Sequence, residues 1–371
     1  MHVQTHPISP AGSSSTIALT SLHFGVAGAS KVYIQAALHA DEVPGMLVAQ
    51  FLRRELTALE AAGRVRGEII LVPAANPIGL TQAIHGVPFG RFDLSNGINF
   101  NRGYKHVAAD LKRTLAGKLG ADAGANVALV RAHARAAVAQ WQPQTDAEAL
   151  KKTLLAMAID ADIVLDLHAD QEAALHLYAG TPLAAAVQPL ATLLGAHAVL
   201  LALEAGGEPF DEACSRLWWD LAAHFGPSCP LPPACLATTV ELRGEQDVDY
   251  GAAERDAHAL LQFLARAGVL ELPLRALPAP LCLPTPLEGV EPILAPHAGV
   301  LVFHKAVGER LREGEALADL IDPVGGTTTT LRSAVAGVMF ARSARRHLLR
   351  GMCAAKVAGA VPIRSGNLLG Q

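Results

Sequence analysis

The chain has 371 residues, of which 51% are hydrophobic and 17% are charged, so its composition is that of a folded protein with a large core. Its 30 basic and 34 acidic side chains give a net charge of −4, and the absence of a long basic run argues against a nucleic-acid partner. The five cysteines form no CxxC pair, which argues against a disulfide framework and for a reducing compartment.

The N-terminal segment has no basic stretch followed by an apolar run, so the sequence predicts no targeting signal. Residues 173–203 carry no Asp, Glu, Lys or Arg, but two prolines and Gly195 interrupt the segment, which favours core strands and a helix over a membrane span. We therefore expect a cytoplasmic protein without nucleic-acid or membrane partners. The sequence leaves open whether the chain forms a homo-oligomer.

Strands and helices alternate over the first 272 residues. Apolar runs predict strands at 31–38, 68–74, 162–167, 174–178, 197–203 and 236–242. Helical spacing predicts helices at 43–62, within 107–158, and at 182–194, 211–225 and 251–267. This alternation predicts an α/β fold with a mixed sheet flanked by helices.

The pattern changes near Glu271. Seven of the 23 prolines lie between Pro273 and Pro296, which predicts a linker or an extended edge strand. Short strands with turn signals follow and predict a smaller all-β domain, so we place the domains at 1–272 and 273–371. Two similar segments, 295–303 and 333–341, suggest a duplication inside the β domain.

Two motifs with metal-binding chemistry follow predicted strands. His39 and Glu42 form an HxxE pair after the strand at 31–38, and His168 ends the strand at 162–167. The carboxyl ends of strands form ligand sites in open α/β sheets, so we expect these residues to meet, and zinc accepts both nitrogen and carboxylate ligands. Alone, the HxxE pair also fits a surface turn, and His168 also fits a hydrogen-bonded core histidine.

Two further groups fit the chemistry of a metal-assisted reaction. Glu241 ends the strand at 236–242, where a carboxylate beside a metal can accept a proton from water; alternatively it is an exposed Glu paired with Arg243. Arg91 and Arg102 lie in a Gly-, Asn- and Pro-rich loop over 76–102, whose length favours a functional role over a solvated surface. Arginines there can hold carboxylates or stabilise an oxyanion.

Taken in chain order over residues 30–270, these motifs resemble those of the succinylglutamate desuccinylase/aspartoacylase family, which is related to zinc carboxypeptidases of the M14 type. The resemblance implies a zinc carboxypeptidase-like fold and one Zn²⁺ per chain, held by His39, Glu42 and His168. It implies Glu241 as the general base. It also implies that Asn101 and Arg102 bind a substrate carboxylate and that Arg91 polarises the scissile carbonyl.

The resemblance further implies a zinc-dependent amidohydrolase that deacylates an N-acyl amino acid by means of metal-activated water. A metallocarboxypeptidase acting on peptides is the alternative, and a non-catalytic metal- or ligand-binding protein is a third interpretation. In relatives a tyrosine closes over the substrate, and Tyr178 and Tyr250 are the candidates here.

The C-terminal region resembles a biotinyl/lipoyl-like barrel-sandwich domain. The turn at 322–326, where carrier domains have the modified lysine, reads Asp-Pro-Val-Gly-Gly. We therefore expect a structural or cavity-covering module and not a cofactor carrier.

Overall fold

The computed structural model describes residues 1–369, so the domain predicted over 273–371 ends two residues beyond the described part. The helices are α1 (Pro44–Ala61), α2 (Ala108–Thr114), α3 (Ala123–Ala139), α4 (Asp146–Ala158), α5 (Ala184–Leu194), α6 (Phe210–Phe225) and α7 (Tyr250–Arg266). The strands are β1 (His2–Pro7), β2 (Ala18–Gly25), β3 (Lys31–Ala36), β4 (Glu68–Val72), β5 (Ala83–Ile84), β6 (Val87–Pro88), β7 (Ile163–Asp170), β8 (Glu172–Ala173), β9 (His176–Gly180), β10 (Ala198–Ala202), β11 (Leu236–Gly244), β12 (Thr285–Pro286), β13 (Val290–Leu294), β14 (Gly299–Phe303), β15 (Arg310–Leu311), β16 (Ala316–Asp322), β17 (Thr327–Arg332), β18 (Gly337–Arg342), β19 (His347–Leu348) and β20 (Cys353–Gly359).

A nine-stranded mixed sheet with the order β1-β2-β4-β3-β7-β11-β9-β10-β12 forms the centre of the molecule. Strands β4, β3, β7 and β11 are parallel neighbours, so their carboxyl ends lie at one edge of the sheet. β9 runs antiparallel to β11, and β1 and β2 form an antiparallel extension at the other side. The mixed α/β sheet expected from the sequence is confirmed, but the sequence analysis missed β1 and β2.

Helices cover both faces of this sheet, as the continuous apolar runs of its central strands require. One hydrophobic core contains side chains from α2, α3, α4 and α6, and a second contains side chains from α1, α5 and α7. Tyr33 of β3 lies in the first core, whereas its neighbours Val32 and Ile34 lie in the second. This alternation fixes which side chains of β3 face each helical layer.

The C-terminal region consists of two small sheets around a separate hydrophobic core. One sheet has the order β13-β20-β18-β15, and the other has the order β17-β16-β14-β19. The two similar sequence segments form β14 and β18, one in each sheet. The turn at 322–326 joins β16 to β17, as the sequence pattern predicts.

The α/β region and the C-terminal region each contribute one strand to a sheet of the other. β12, within the proline-rich segment, pairs with β10 at the edge of the large sheet. In return, β8, which follows β7, pairs with β18 of the C-terminal region. Two ion pairs support this junction, because Glu172 accepts hydrogen bonds at 2.7 Å from both Arg342 and Arg346. The C-terminal region is therefore held against the edge at which β7 ends.

All five cysteines are free. Within residues 1–369, no helix has the length and apolar character that crossing a membrane requires.

Candidate metal centre

The loop between β3 and α1 carries His39 and Glu42, and its path is fixed by close backbone contacts. The Ala40 N–H donates to Gly90 O at 3.0 Å, and the Asn76 side chain donates to Leu38 O at 2.9 Å. A Cβ atom on Gly90 would lie 2.3 Å from the Asp41 nitrogen, so only glycine allows this approach. The two loops therefore lock together and place both side chains in the interior.

His168 lies near the carboxyl end of β7, and Glu241 is its register partner on the neighbouring strand β11. Directly after Glu241 the pairing of β11 shifts at a bulge, where Arg243 has a φ of 68°. Bulges of this kind redirect side chains beside functional sites. Arg243 forms an ion pair with Asp256 of α7, so it is not the partner of Glu241.

The structure brings together the three side chains that the sequence places far apart. Donor atoms of His39, Glu42 and His168 all lie within 4.8 Å of one another, and all three residues are buried. The Nδ1 atom of His39 lies 2.8 Å from Glu42 Oε1, and Nδ1 of His168 lies 2.7 Å from Glu42 Oε2. Two imidazoles and one carboxylate therefore point to a common centre.

The hydrogen bonds around His39 decide which of its nitrogens is free to bind a cation. Its Nε2 atom lies 2.8 Å from the Asn99 side chain, and the same Asn99 atom accepts the Asn101 backbone N–H at 2.8 Å. Because a backbone N–H can only donate, that atom is the amide oxygen, and His39 Nε2 must carry the proton. Nδ1, which faces Glu42, is then available as a ligand.

A buried chain of polar groups orients His168 in the same way. Its Nε2 atom lies 3.0 Å from Asp166 Oδ2, and Asp166 Oδ1 accepts from the Gln35 amide at 2.9 Å. Gln35 in turn accepts from the Tyr33 hydroxyl at 2.8 Å. A carboxylate behind a ligating histidine fixes the ring and increases its basicity. Here too, Nδ1 is the nitrogen that faces the common centre.

The charges of the three residues fit a divalent cation. Burial raises the pKa of Glu42, but the two histidines outweigh this and hold it well below its usual range. Burial lowers the pKa of His168, yet Asp166 and Glu42 raise it well above the ordinary value. Burial and Arg91 lower the pKa of His39. A cation at this centre would compete with the proton on His168, so the affinity of the site for a cation would fall in acid.

Glu241 lines the same cavity as these three residues, and its Oε2 atom is buried without a hydrogen-bond partner among the described residues. Burial, Glu42 and Asp170 raise the pKa of Glu241 to about 8. Burying a carboxylate without a hydrogen-bond partner costs free energy of folding. Its presence beside a group that can bind a metal therefore indicates a side chain that accepts and releases a proton.

The loop residues implied by the resemblance also line the cavity. The Arg91 guanidinium donates to Glu42 Oε1 at 2.8 Å and lies 3.2 Å from His39 Nδ1, with 44% of its side chain exposed. Asn101 Oδ1 accepts the N–H of Phe210 at the start of α6, and Arg102 donates to Asn101 O at 2.7 Å. Of the two candidate tyrosines, Tyr178 lines the cavity, whereas Tyr250 is 75% exposed and contacts Phe51.

Sequence reasoning missed several residues that shape the site. Asn99 fixes the His39 ring through its side-chain oxygen. Lys151 of α4 donates to the carbonyls of Asn99 and Arg102 at 3.2 and 2.6 Å and so supports that loop. The C-terminal region contributes Lys356 and Arg364 to the cavity, which measures about 600 Å³. The three asparagines between residues 96 and 101 were the signal that the sequence offered.

The geometry can be compared with known proteins. The family model described as the succinylglutamate desuccinylase/aspartoacylase catalytic domain matches residues 29–222. A solved structure of a succinylglutamate desuccinylase/aspartoacylase family protein from Shewanella amazonensis SB2B is 27% identical, with 96% of this chain and 98% of that chain covered and a TM-score of 0.81. A similar protein from Shewanella frigidimarina NCIMB 400 is 26% identical, covers 96% and 97%, and has a TM-score of 0.81.

The product-bound ectoine utilization protein EutE (DoeB) from Ruegeria pomeroyi shares the fold at 18% identity, with 96% and 95% of the chains covered and a TM-score of 0.67. No curated protein matches the sequence. Fold and site together define a mixed α/β protein with a buried His-Glu-His group that can bind a metal. The chain belongs to the succinylglutamate desuccinylase/aspartoacylase family, whose members are deacylases that act on acyl amino acids.

Proposed function

We propose that the protein is a zinc-dependent amidohydrolase that cleaves the amide bond of an N-acyl amino acid. His39, Glu42 and His168 hold one Zn²⁺, Glu241 is the general base, and Arg91, Asn101 and Arg102 bind the substrate. The observation that carries the proposal is that Nδ1 of His39 and Nδ1 of His168 both face the Glu42 carboxylate, while their Nε2 atoms lie beside Asn99 and Asp166. The Glu241 carboxylate lines the same cavity.

A zinc ion held by these residues would supply the usual chemistry of such sites: it would lower the pKa of a water molecule to about 7 and would polarise a carbonyl. Zinc accepts both imidazole nitrogen and carboxylate oxygen, so the donor set fits this metal. Asn99 and Asp166 keep the histidine rings in place throughout the reaction, because their contacts with the two Nε2 atoms do not involve the metal-facing side.

Glu241 moves the proton. Its Oε2 atom has no competing partner among the described residues, so it can accept the proton of the attacking water as the new C–O bond forms. The same carboxyl group then delivers that proton to the leaving nitrogen while the C–N bond breaks. The products are a carboxylate and a free amino group.

The arginines orient the substrate and stabilise negative charge. Arg91 lies beside Glu42 and His39, where its guanidinium can donate to the oxyanion that develops on the scissile carbonyl. Asn101 and Arg102 bind the carboxylate of the amino acid, for which a planar guanidinium is well suited. The proteins similar in structure and named succinylglutamate desuccinylase/aspartoacylase support this substrate class.

We also propose a division of labour between residues 1–272, which carry the metal ligands and the base, and residues 273–371, which contribute to the cavity wall. The cytoplasm is the proposed compartment, in line with five free cysteines.

The test of the function is a metal measurement combined with a substrate screen. Purified protein should contain about one zinc per chain and release free amino acid from N-acetyl, N-succinyl or related N-acyl amino acids. Short peptides, assayed in parallel, should be poor substrates; preferred cleavage of peptides would support a carboxypeptidase. Zinc-loaded protein that hydrolyses neither class would overturn the proposal.

A further inference from the structure

The turn from Asn99 to Arg102 connects the metal-binding group to the arginine that lines the cavity. Its first residue holds a metal ligand, because Asn99 Oδ1 accepts the proton of His39 Nε2 at 2.8 Å. Its last residue contributes a guanidinium to the cavity wall. The Arg102 N–H donates to Asn99 O at 3.2 Å, so these four residues form a closed β-turn. A displacement of this turn would therefore move both functional side chains together.

One buried side chain holds both ends of the turn. Lys151 Nζ donates to the carbonyl of Asn99 at 3.2 Å and to that of Arg102 at 2.6 Å. Lys151 is only 3% exposed and belongs to α4, whose neighbouring side chains Leu150 and Leu154 are buried in the first core. The position of α4 is fixed by this packing, so the turn is attached to a rigid element of the fold.

The environment of Lys151 is unusual for a lysine. Among residues 1–369 it forms no ion pair, and its Nζ atom lies 5.9 Å from the centre of the Tyr104 ring, within range of a cation–π contact. Burial lowers the pKa of Lys151 to about 8, although Glu148 and Asp93 oppose this effect from beyond ion-pair distance. Burying an ammonium group without a paired carboxylate costs free energy of folding. Its contacts therefore indicate a role in placing the turn rather than in stabilising the fold.

We propose that Lys151 is a positioning residue that holds Asn99 and Arg102 in place. Through Asn99 it sets the orientation of the His39 ring, and through the Arg102 carbonyl it sets where the guanidinium meets the substrate. The inference rests on the proposed function, which takes His39 as a metal ligand and Arg102 as a substrate-binding residue. Lys151 lies behind the turn and is not one of the described residues that line the cavity.

The first test measures zinc binding without any substrate. Lys151→Met keeps the unbranched apolar stem but removes the ammonium group, so zinc affinity should fall by about tenfold or more, as for other groups that orient a metal ligand. Competition between metal-free protein and a chromophoric zinc chelator gives the affinity. Lys152→Met is the matched control, because Lys152 is the next residue of α4 and also donates to two carbonyls, those of Ala139 and Trp141, away from the turn. Its zinc affinity should equal that of the wild-type protein.

The second test separates KM from kcat at saturating zinc. In Lys151→Met, KM should rise by about tenfold while kcat changes by less than about threefold, because added zinc refills the site but Arg102 remains displaced. A loss of folded protein alone would lower the apparent kcat and leave KM unchanged. Lys151→Arg retains a cation with N–H donors on a long stem, so it should recover part of both losses.

A double-mutant cycle tests the route from Lys151 to the metal. If Lys151 acts through Asn99, the zinc affinity of the variant with both Asn99→Ala and Lys151→Met should equal that of Asn99→Ala alone. Additive losses in zinc affinity would mean that Lys151 does not act through Asn99, and would overturn this part of the proposal.

The remaining outcomes separate the positioning role from the proposed function. Unchanged zinc affinity and KM in Lys151→Met, or equal losses in Lys152→Met, would overturn the positioning role. If Lys151→Met does not fold, Lys151→Gln, whose N–H donors lie one bond closer to the backbone, replaces it in every comparison. A protein that hydrolyses no N-acyl amino acid but loses zinc affinity in Lys151→Met alone would contradict the hydrolase and support the positioning role. Hydrolysis with wild-type zinc affinity and KM in Lys151→Met would do the reverse.

Discussion

The two halves of the cavity differ in how completely their charged groups are satisfied. In the half formed by the ends of β3, β7 and β11, the His-Glu-His side chains contact one another and have supporting partners behind them. In the half formed by the C-terminal region, Lys356 is paired with Asp170, whereas the buried Nε atom of Arg364 has no hydrogen-bond partner among the described residues. The first half already has the arrangement of a group that can bind a metal, whereas the second half retains a buried donor without a hydrogen-bond partner.

The largest effect is expected from removing a member of the metal-binding half. His168→Ala and Glu42→Ala each delete one of the three donors, so the protein should lose its metal and all measurable hydrolysis. Elemental analysis of the purified variants, with activity assays after added zinc, checks this. His347→Ala, an exposed histidine of β19, is the matched control and should retain one metal per chain. A fully metallated His168→Ala protein would show that the ligands lie elsewhere.

Glu241→Gln should come next. The change keeps the shape of the side chain but removes its ability to accept a proton, so kcat should fall by about 10²–10⁴-fold while the metal stays bound. Steady-state kinetics together with metal content give the answer. Glu313→Gln, an exposed carboxylate in the C-terminal region, should leave kcat unchanged. If Glu241→Gln retained full turnover, the proton acceptor would have to be another group.

Lys356→Met tests the contact that joins the two halves. The change leaves Asp170 without its cation, and because Lys356 is 36% exposed we expect a loss of about 2 kcal/mol in the free energy of unfolding, less than for a fully buried pair. Urea denaturation of Lys356→Met, Asp170→Asn and the double variant measures the coupling between them. Additive effects in this cycle would mean that the ion pair does not stabilise the junction.

A pH-dependent effect on stability is expected at Glu212, whose pKa is raised to about 7 by burial and by the neighbouring Asp211. An acid with a raised folded-state pKa binds more protons when folded, so its contribution to stability is present at low pH and is lost as pH rises from about 4.5 through 7. Glu212→Gln avoids this loss and should stabilise the protein at pH 8, by up to about 3 kcal/mol, but not at pH 5.

The measurement is the free energy of unfolding of the metal-free protein at pH 5 and pH 8. Metal is removed beforehand because its release in acid would itself change the stability. Glu313→Gln again serves as the control, because an exposed carboxylate should give no difference between pH 5 and pH 8. A gain in stability for Glu212→Gln that is the same at pH 5 and pH 8 would contradict the raised pKa of Glu212.

The sequence predicted the metal-binding half well, because its residues lie at the ends of strongly apolar strands whose neighbours follow from the alternation of strands and helices. His39 and His168 therefore meet as expected. The supporting contacts were harder to predict: Asn99 and Lys151 act through loop and helix geometry that has no local pattern. Strands β1 and β2 were missed, since polar residues and histidines are interspersed among their apolar residues and leave no continuous apolar run.

For the other half, the sequence predicted a β domain but not the side chains that it contributes to the cavity. Arg364 lies almost 200 residues after His168 in a segment without strands or helices, and its place depends on backbone hydrogen bonds to Glu288. The sequence predicted a linker or an extended edge strand in the proline-rich segment. It did not predict the pairing with β10, which follows from tertiary packing.

The reciprocal pairing of β12 with β10 and of β8 with β18 has a thermodynamic consequence. Neither region can unfold without removing a strand from a sheet of the other region. Heating should therefore produce one calorimetric peak whose van't Hoff and calorimetric enthalpies agree. A fragment ending at residue 272 would expose the open edge of β10 and would be prone to self-association through it. The two regions should therefore unfold as a single cooperative unit, although they are distinct along the chain.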